Sequence, residues 1–141
     1  MLFRSKRILQ DEEDLTEVVQ LIGKDSLSED QKLILEIAKV IKNDFLQQNS
    51  FTDYDYTCPL AKTTGMMKCI MTYFNNALKT IKESSGENKK TLAFVQTKTK
   101  DEFVELTQMK FISPKKSKEE FVELFKDQQK RIEEKFKTAF S

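Results

Sequence analysis

The chain has 141 residues and is one-third charged, but 24 basic residues nearly balance 23 acidic ones, for a net charge of +1. This balance gives no general attraction to nucleic acid or to an anionic membrane. Histidine is absent, which excludes histidine-based triads and metalloprotease helices. Glycine and proline are scarce, so we expect one all-α domain over residues 1–141, with about five to six helices.

The first predicted helix covers residues 4–22. Its acidic run, residues 11–14, is expected to face water, and Gly23 is expected to end the helix in a left-handed conformation. A short turn should follow at Asp25, Ser26 and Leu27. The apolar positions that define the buried stripe are Ile8, Leu15, Val18, Val19 and Ile22.

The next two helices should form a central antiparallel hairpin, over about residues 28–48 and 59–82. Ser28 and Gln31 predict a capping box at the start of the first of these helices, which should pack on more than one side. Gly65 either weakens the second helix or allows close packing. The apolar residues of that helix, including its methionines, are interpreted as core: Met67, Ile70, Met71, Phe74, Leu78 and Ile81.

Shorter helices are predicted for the rest of the chain. Residues 83–90 should form a mobile loop, and residues 91–97 are ambiguous between helix and other structure. Thr99 and Glu102 predict a capping box for a short helix, and Ser117 with Glu120 predicts another for a terminal helix within 115–141. The lysines just before that helix are interpreted as solvated rather than as a phosphate site: Lys115, Lys116 and Lys118.

Independent catalysis is not expected of these residues. No lysine follows a glycine-rich turn, so the chain contains no phosphate-binding P-loop. Cys58 and Cys69 are too few for a zinc site, and we expect no metal site and no catalytic residue. The sequence shows neither a secretory signal nor an apolar run near the roughly 20 residues of a membrane span, so we expect a cytosolic chain without direct membrane insertion.

The connector between the hairpin helices carries three aromatic rings on a polar background: Phe51, Tyr54 and Tyr56. Rings on a solvated connector either pack back onto the core or form a stacking surface for a flat ligand. Composition alone favours packing onto the core.

A longer stretch, VVQLIGKDSLSEDQKLILEIAKVIKNDFLQQNSF at residues 18–51, changes that balance. It resembles the C-terminal region of the catalytic A subunit of V-type proton ATPases, in the rotary ATPase alpha/beta family. Within it, DSLSEDQK resembles the DELSEED loop of F-type catalytic subunits, and the resemblance extends over about residues 8–82. It implies a larger parent subunit that binds ATP and magnesium, hydrolyses ATP and drives proton pumping. This chain would then be an inactive C-terminal fragment with no cofactor of its own.

The resemblance also implies an adenine-binding role for the connector. An aromatic residue at the position of Phe51 forms part of the adenine pocket in that family. The family's second aromatic falls at Thr57, so either the neighbouring Tyr56 takes its place or the pocket has one ring fewer. Gln47 and Gln48 match the family motif and either offer amide groups to the ligand or cap the helix.

A second implied site is the acidic turn, which in that family lies against the central rotor shaft. The turn comprises Asp25, Ser26, Leu27, Ser28, Glu29 and Asp30. An acidic, N-capped helix start explains these residues equally well without a partner. The implied partners are the central-shaft subunit together with the non-catalytic B subunit, on the cytosolic side of acidic organelles. The alternative function is a free-standing interaction module that docks a partner helix on the phenylalanines of the terminal helix.

Overall fold

The computed structural model describes residues 2–46, 60–84, 86–113 and 115–140. These residues contain no strand and form six α-helices, which confirms the all-α prediction. The helices are α1 (Leu2–Ile22), α2 (Glu29–Val40), α3 (Leu60–Glu83), α4 (Leu92–Lys98), α5 (Lys100–Gln108) and α6 (Lys118–Phe140). A π-helical segment, Ile41–Leu46, extends α2, and 3-10 turns occupy Lys24–Ser26, Gly86–Asn88 and Met109–Phe111. Among the described helices, none has the length and apolar character required to cross a bilayer.

Helices α1 and α2 form an antiparallel pair. Lys42, just after α2, has its Nζ 2.6 Å from Glu12 Oε2 in the middle of α1. Lys24, just after α1, has its Nζ 3.8 Å from Glu36 Oε1 in α2, so the two helices run in opposite directions. The prediction for α1 was right in extent but partly wrong in its buried face. Ile8 and Leu15 are buried, whereas Val18 and Ile22 are exposed.

The ends of these helices follow their local signals. Gly23 has φ 87°, which confirms the predicted positive φ after α1. Ser28 and Gln31 form the predicted capping box, in which the Ser28 amide donates to Gln31 Oε1 at 3.1 Å. Four residues of α2 are buried, and most others are half-buried, as expected for a helix packed on several sides: Leu33, Ile37, Ala38 and Val40.

The start of α2 lies near the end of α3, which gives the predicted antiparallel hairpin. Glu29 Oε2 accepts a hydrogen bond of 2.7 Å from the Leu92 amide, which follows the polar segment after α3. That segment holds the 3-10 turn Gly86–Asn88, and its predicted mobility stays a prediction. The predicted core residues of α3 are buried or half-buried, including the methionines.

The largest helix–helix contact joins α3 and α6, which run in the same direction. Gly65 faces Phe125 near the start of both helices, and the Tyr73 ring lies 5.4 Å from Phe136 further along both. Parallel neighbours require the chain to return between them, and α5 makes that return. It runs antiparallel to α3, since Tyr73 bonds Thr99 at 2.8 Å and Lys62 Nζ donates to the Lys110 carbonyl at 2.9 Å.

Gly65 is a close-packing position. A Cβ at this residue would lie 2.8 Å from Phe125 Cε2 and closer still to two other atoms of that ring. Both Gly65 and Phe125 are buried. Of the two sequence interpretations, the structure therefore supports close packing of α6 against the backbone of α3.

Of the two capping boxes predicted for the later helices, one is present and one is not. Residues left ambiguous form α4, where the Thr91 hydroxyl accepts from the Phe94 amide at 3.2 Å. The Ser117–Glu120 capping box is present at the start of α6. The Thr99–Glu102 capping box is wrong, because the Thr99 hydroxyl bonds the Val95 carbonyl and the Tyr73 hydroxyl inside the core.

Candidate functional site

The predicted adenine-binding residues lie outside the described residues: Gln47, Gln48, Phe51, Tyr56 and Thr57. Their role therefore stays a prediction. The structure does describe the two helical ends between which this connector runs. These ends are the π-helical segment after α2 and the first turn of α3.

On the α2 side, the connector follows a π-helical segment, Ile41–Leu46. Ile41 is buried in the core, and Lys42 is paired with Glu12 of α1. A π-helical segment widens the turn and shifts the direction of the chain relative to a regular helix, and such segments are frequent at functional sites. The sequence periodicity predicted a continuous α-helix here and missed this change.

On the α3 side, the first turn contains a buried lysine that was not predicted from sequence. Lys62 is only 1% exposed, and its ammonium group donates to the Lys110 carbonyl at 2.9 Å. A cation in the first turn of a helix is disfavoured by the helix dipole, and burial of a lysine is rare. In the sequence, the available signal was a lysine in the first turn of a helix. In the structure, the Lys62 side chain links the start of α3 to the end of α5.

The acidic turn between α1 and α2 is a compact, hydrogen-bonded structure. The Ser26 hydroxyl donates to the Gly23 carbonyl at 2.7 Å, and the Leu27 amide donates to the Lys24 carbonyl at 3.2 Å. The Leu27 side chain is buried beneath the turn. Of the six residues predicted to contact the shaft, three are exposed and two are half-buried: Asp25, Ser26 and Ser28, then Glu29 and Asp30.

Glu29 is engaged within the domain. One carboxylate oxygen lies 3.0 Å from Lys32 Nζ, and the other accepts from the Leu92 amide. The amide hydrogen bond, with Lys32, lowers the pKa of this carboxyl below its usual value despite the opposing effect of burial. Glu29 therefore ties the turn to α4, and the outward-facing acid is Asp25.

An exposed apolar pair adjoins this turn. Leu21 and Ile22, the last residues of α1, are 83% and 65% exposed. Ile22 was expected in the buried stripe, so this surface was not predicted from sequence. Apolar and acidic side chains therefore lie together at the tip of the α1–α2 hairpin, a composition suited to contact with another protein surface.

The thiol at Cys69 is a structural group. Its side chain is buried, and its Sγ donates to the Phe125 carbonyl at 3.5 Å. Burial raises the pKa of the Cys69 thiol to about 12, so almost no thiolate forms at neutral pH. Within the described ranges, no group of histidine, cysteine and acidic residues has a geometry that could hold a metal ion.

Comparisons with known proteins match most of the chain. The family model described as the C-terminal domain of V and A type ATP synthase matches residues 3–92. The chain is 47% identical over 111 residues to the catalytic A subunit of the V-type proton ATPase from Dictyostelium discoideum, covering 79% of this chain and 18% of that protein. It is 46% identical over 125 residues to the Trypanosoma congolense protein of the same name, covering 89% of this chain and 20% of that protein.

A third similar protein is isoform 1 of the same catalytic protein in Drosophila melanogaster, which is 43% identical over 124 residues, or 87% of this chain and 20% of that protein. The chain thus spans about a fifth of the length of the curated relatives it matches. The matched residues include the acidic turn, the connector and the whole of α3.

Proposed function

The chain belongs to the family of C-terminal domains of V and A type ATP synthases, and on this premise we propose that it serves the catalytic A subunit of a V-type proton ATPase. In that longer protein it would contribute to ATP hydrolysis and proton transport. The observation that carries the proposal is the family match over residues 3–92, which include α1, α2 and α3. Two relatives that are named as the same catalytic subunit support it.

The chain's own residues supply binding and movement rather than the chemical step. The sequence has no P-loop and no histidine, and the described residues offer no metal site. ATP phosphates and magnesium would therefore be held by other parts of the longer subunit. Phe51 would stack on the adenine ring, a contact worth ~1–3 kcal/mol by analogy with base stacking on aromatic side chains. Tyr56, Thr57, Gln47 and Gln48 would complete that side of the pocket.

The α1–α2 hairpin would pass movement to a central-shaft subunit. Its tip presents Asp25 and Ser26 beside the exposed Leu21 and Ile22. The turn at this tip is itself tied to the domain, because Glu29, the first residue of α2, accepts a hydrogen bond from the Leu92 amide at the start of α4. A force on a tip that is tied in this way would be passed to α4 and the body of the domain, which is the property required of a lever. The non-catalytic B subunit would be the other neighbour, on the cytosolic side of an acidic organelle.

A domain exchange tests the proposal. The matching region of the Dictyostelium discoideum subunit is replaced by this chain, and acidification of isolated vesicles is measured together with ATP hydrolysis. We expect an assembled complex that retains both activities. Assembly with ATP hydrolysis below about a tenth of the parent activity would contradict the proposal. Replacement by an unrelated helical bundle of equal length is the control.

The adenine assignment has its own test in the same exchanged protein. Phe51→Ala should raise the KM for ATP by about tenfold, because one stacking contact is lost. Val104→Ala, at an exposed position of α5, is the control. An unchanged KM would remove Phe51 from the pocket while leaving the family assignment intact.

The alternative function, a free-standing module that docks a helix on the phenylalanines of α6, is not favoured. Phe121, Phe125 and Phe136 are buried against the rest of the domain. Phe125 and Phe136 contact α3 of the same chain.

A further inference from the structure

A groove lies between the first turns of α3 and α6, away from the hairpin tip. Its volume is about 950 Å³. Buried Phe121, Phe125 and Gly65 form its floor, and Leu60 and Val122 stand at its edge with 81% and 55% of their surfaces exposed. The exposed apolar edge makes this a surface on which a second molecule can bury apolar side chains.

Positive charge surrounds the groove. Four exposed lysines line it: Lys68, Lys116, Lys118 and Lys126. Among the described residues, no aspartate or glutamate lines it. Because α3 and α6 are parallel, the positive ends of both helix dipoles also lie at this end of the domain. Lys116 and Lys118 were interpreted from sequence as solvated, and the structure places them on a shared, one-signed rim.

We propose that this lysine-rimmed groove binds an acidic, amphipathic helical segment of another protein chain. Apolar side chains of that segment would cover Leu60 and Val122. Its carboxylates would pair with Lys68 and Lys126, which rise from the two facing helices. The helix-in-groove geometry supplies affinity, and the complementary charge supplies orientation.

The charges outside the groove favour the binding of a single helix over the binding of a membrane surface. Glu119 and Glu123 do not line the groove but line an adjoining depression, which shares Lys118, Val122 and Lys126 with the groove. A flat anionic membrane would contact these carboxylates together with the lysines. A single helix in the groove would contact the lysines alone, so the arrangement favours it.

The proposal goes beyond the adenine and shaft roles and does not depend on them. Half of the groove comes from α6, which lies outside the residues matched by the family model, 3–92. A failure of the domain exchange would leave this surface unchanged. A failure of the groove experiment would leave the family membership unchanged.

The test uses the 141-residue chain and a fluorescent amphipathic peptide of about four helical turns, with leucine on one face and glutamate on the other. A second peptide has glutamine in place of every glutamate. We expect the acidic peptide to bind with a Kd below about 100 µM, as for a small transient interface. The glutamine peptide should bind at least about tenfold more weakly, and added salt should remove most of the difference.

Matched variants locate the binding. Lys68→Gln with Lys126→Gln should weaken binding of the acidic peptide about fivefold to tenfold, because both bridging charges are lost. Lys82→Gln with Lys130→Gln removes two exposed lysines from the same helices outside the groove and should have no effect. Leu60→Ser should also weaken binding, whereas Leu21→Ser, at an equally exposed leucine, should not. All of these changes are at exposed residues, so the fold should be retained, as checked by circular dichroism.

Three results would overturn the proposal. The first is equal binding of the acidic and glutamine peptides. The second is an equal effect of the groove and control lysine variants. The third is binding to phosphatidylserine vesicles that depends on Lys68 and Lys126, without measurable binding of the peptide, which would assign the groove to a lipid surface instead.

Discussion

The α3–α6 pair and the α1–α2 hairpin are both made of amphipathic helices, but different forces hold them together. Helices α3 and α6 meet through buried rings and a glycine, with Phe125 against Gly65 and Tyr73 against Phe136. Helices α1 and α2 are joined in part by ion pairs at their edges, such as Lys42 with Glu12, and their tip leaves Leu21 exposed.

This difference distinguishes the part of the domain that provides stability from the part that is available for contact. Close-packed apolar contacts stabilise a domain strongly and tolerate little change in volume. Exposed ion pairs contribute little, about 0–1 kcal/mol each, and can be remade during movement. The α3–α6 pair therefore holds the domain together, while the tip of the α1–α2 hairpin presents the exposed Leu21 and Ile22 as a contact surface.

Gly65→Ala should have the largest effect, since its methyl group would overlap the Phe125 ring. We expect a loss of about 3 kcal/mol in the free energy of unfolding, the upper part of the range for overpacked cores. Urea denaturation measures it. Thr64→Ala, the preceding residue in α3, is the control and should change stability little. A wild-type midpoint for Gly65→Ala would show that α6 does not lie on the α3 backbone.

Tyr73→Phe should have the next largest effect on the free energy of unfolding. The buried Tyr73 hydroxyl lies 2.8 Å from the Thr99 hydroxyl, and its removal should cost about 1 kcal/mol. A double-mutant cycle with Thr99→Ala checks the pairing. Additive effects of the two substitutions would disprove a direct hydrogen bond between these residues.

Glu29→Gln should alter the pH dependence of the free energy of unfolding, because Glu29 ties the turn between α1 and α2 to α4. The pKa of Glu29 in the folded chain lies below the usual 4.5, chiefly because the Leu92 amide donates to the ionised carboxylate. Its stabilising effect is therefore complete above pH 4.5 and is lost as the pH falls through the lower, folded-state pKa.

The variant should be less stable than wild type near neutral pH by up to about 1 kcal/mol, and this difference should shrink in acid. Denaturation curves at a series of pH values measure it. Glu133→Gln, at an exposed position of α6, should show no such convergence. A gap that stays constant down to strongly acidic pH would show that the ionised Glu29 carboxylate is not the source of the stability difference.

Leu21→Ser should have the smallest effect on stability, under about 0.5 kcal/mol, because its side chain is already exposed. Ile37→Ala, at a fully buried position of the same hairpin, should cost about 3 kcal/mol by comparison. Thermal unfolding compares the two. A large loss for Leu21→Ser would show that the tip is packed rather than available for contact.

The sequence predicted the helices well because their signals are local. The capping boxes at Ser28 and Ser117 and the positive φ at Gly23 each depend on a few neighbouring residues. Thr99 shows the limit of such signals. It has the sequence of an N-cap, but its hydroxyl is taken by Tyr73, a partner distant in the chain. Ile22 was misassigned because helical periodicity identifies an apolar face but does not show which part of that face other helices cover.

For the candidate sites, too, the sequence revealed local features, and only the structure revealed contacts between distant residues. The acidic turn was recognised from contiguous residues, but only the structure shows that Glu29 is tied to Leu92 while Asp25 faces outward. The buried Lys62 and the lysine-rimmed groove were not predicted, because each depends on residues from α3 meeting residues far along the chain.

The sequence by itself determined the helical class, most helix limits and the family resemblance, since propensity, capping and motif spacing are properties of short segments. Only the tertiary structure decided that α3 and α6 run parallel, that Gly65 receives the Phe125 ring, and which lysines share a rim. Those features arise from side-chain volumes and charges brought together across long separations. No short segment of the sequence contains both partners.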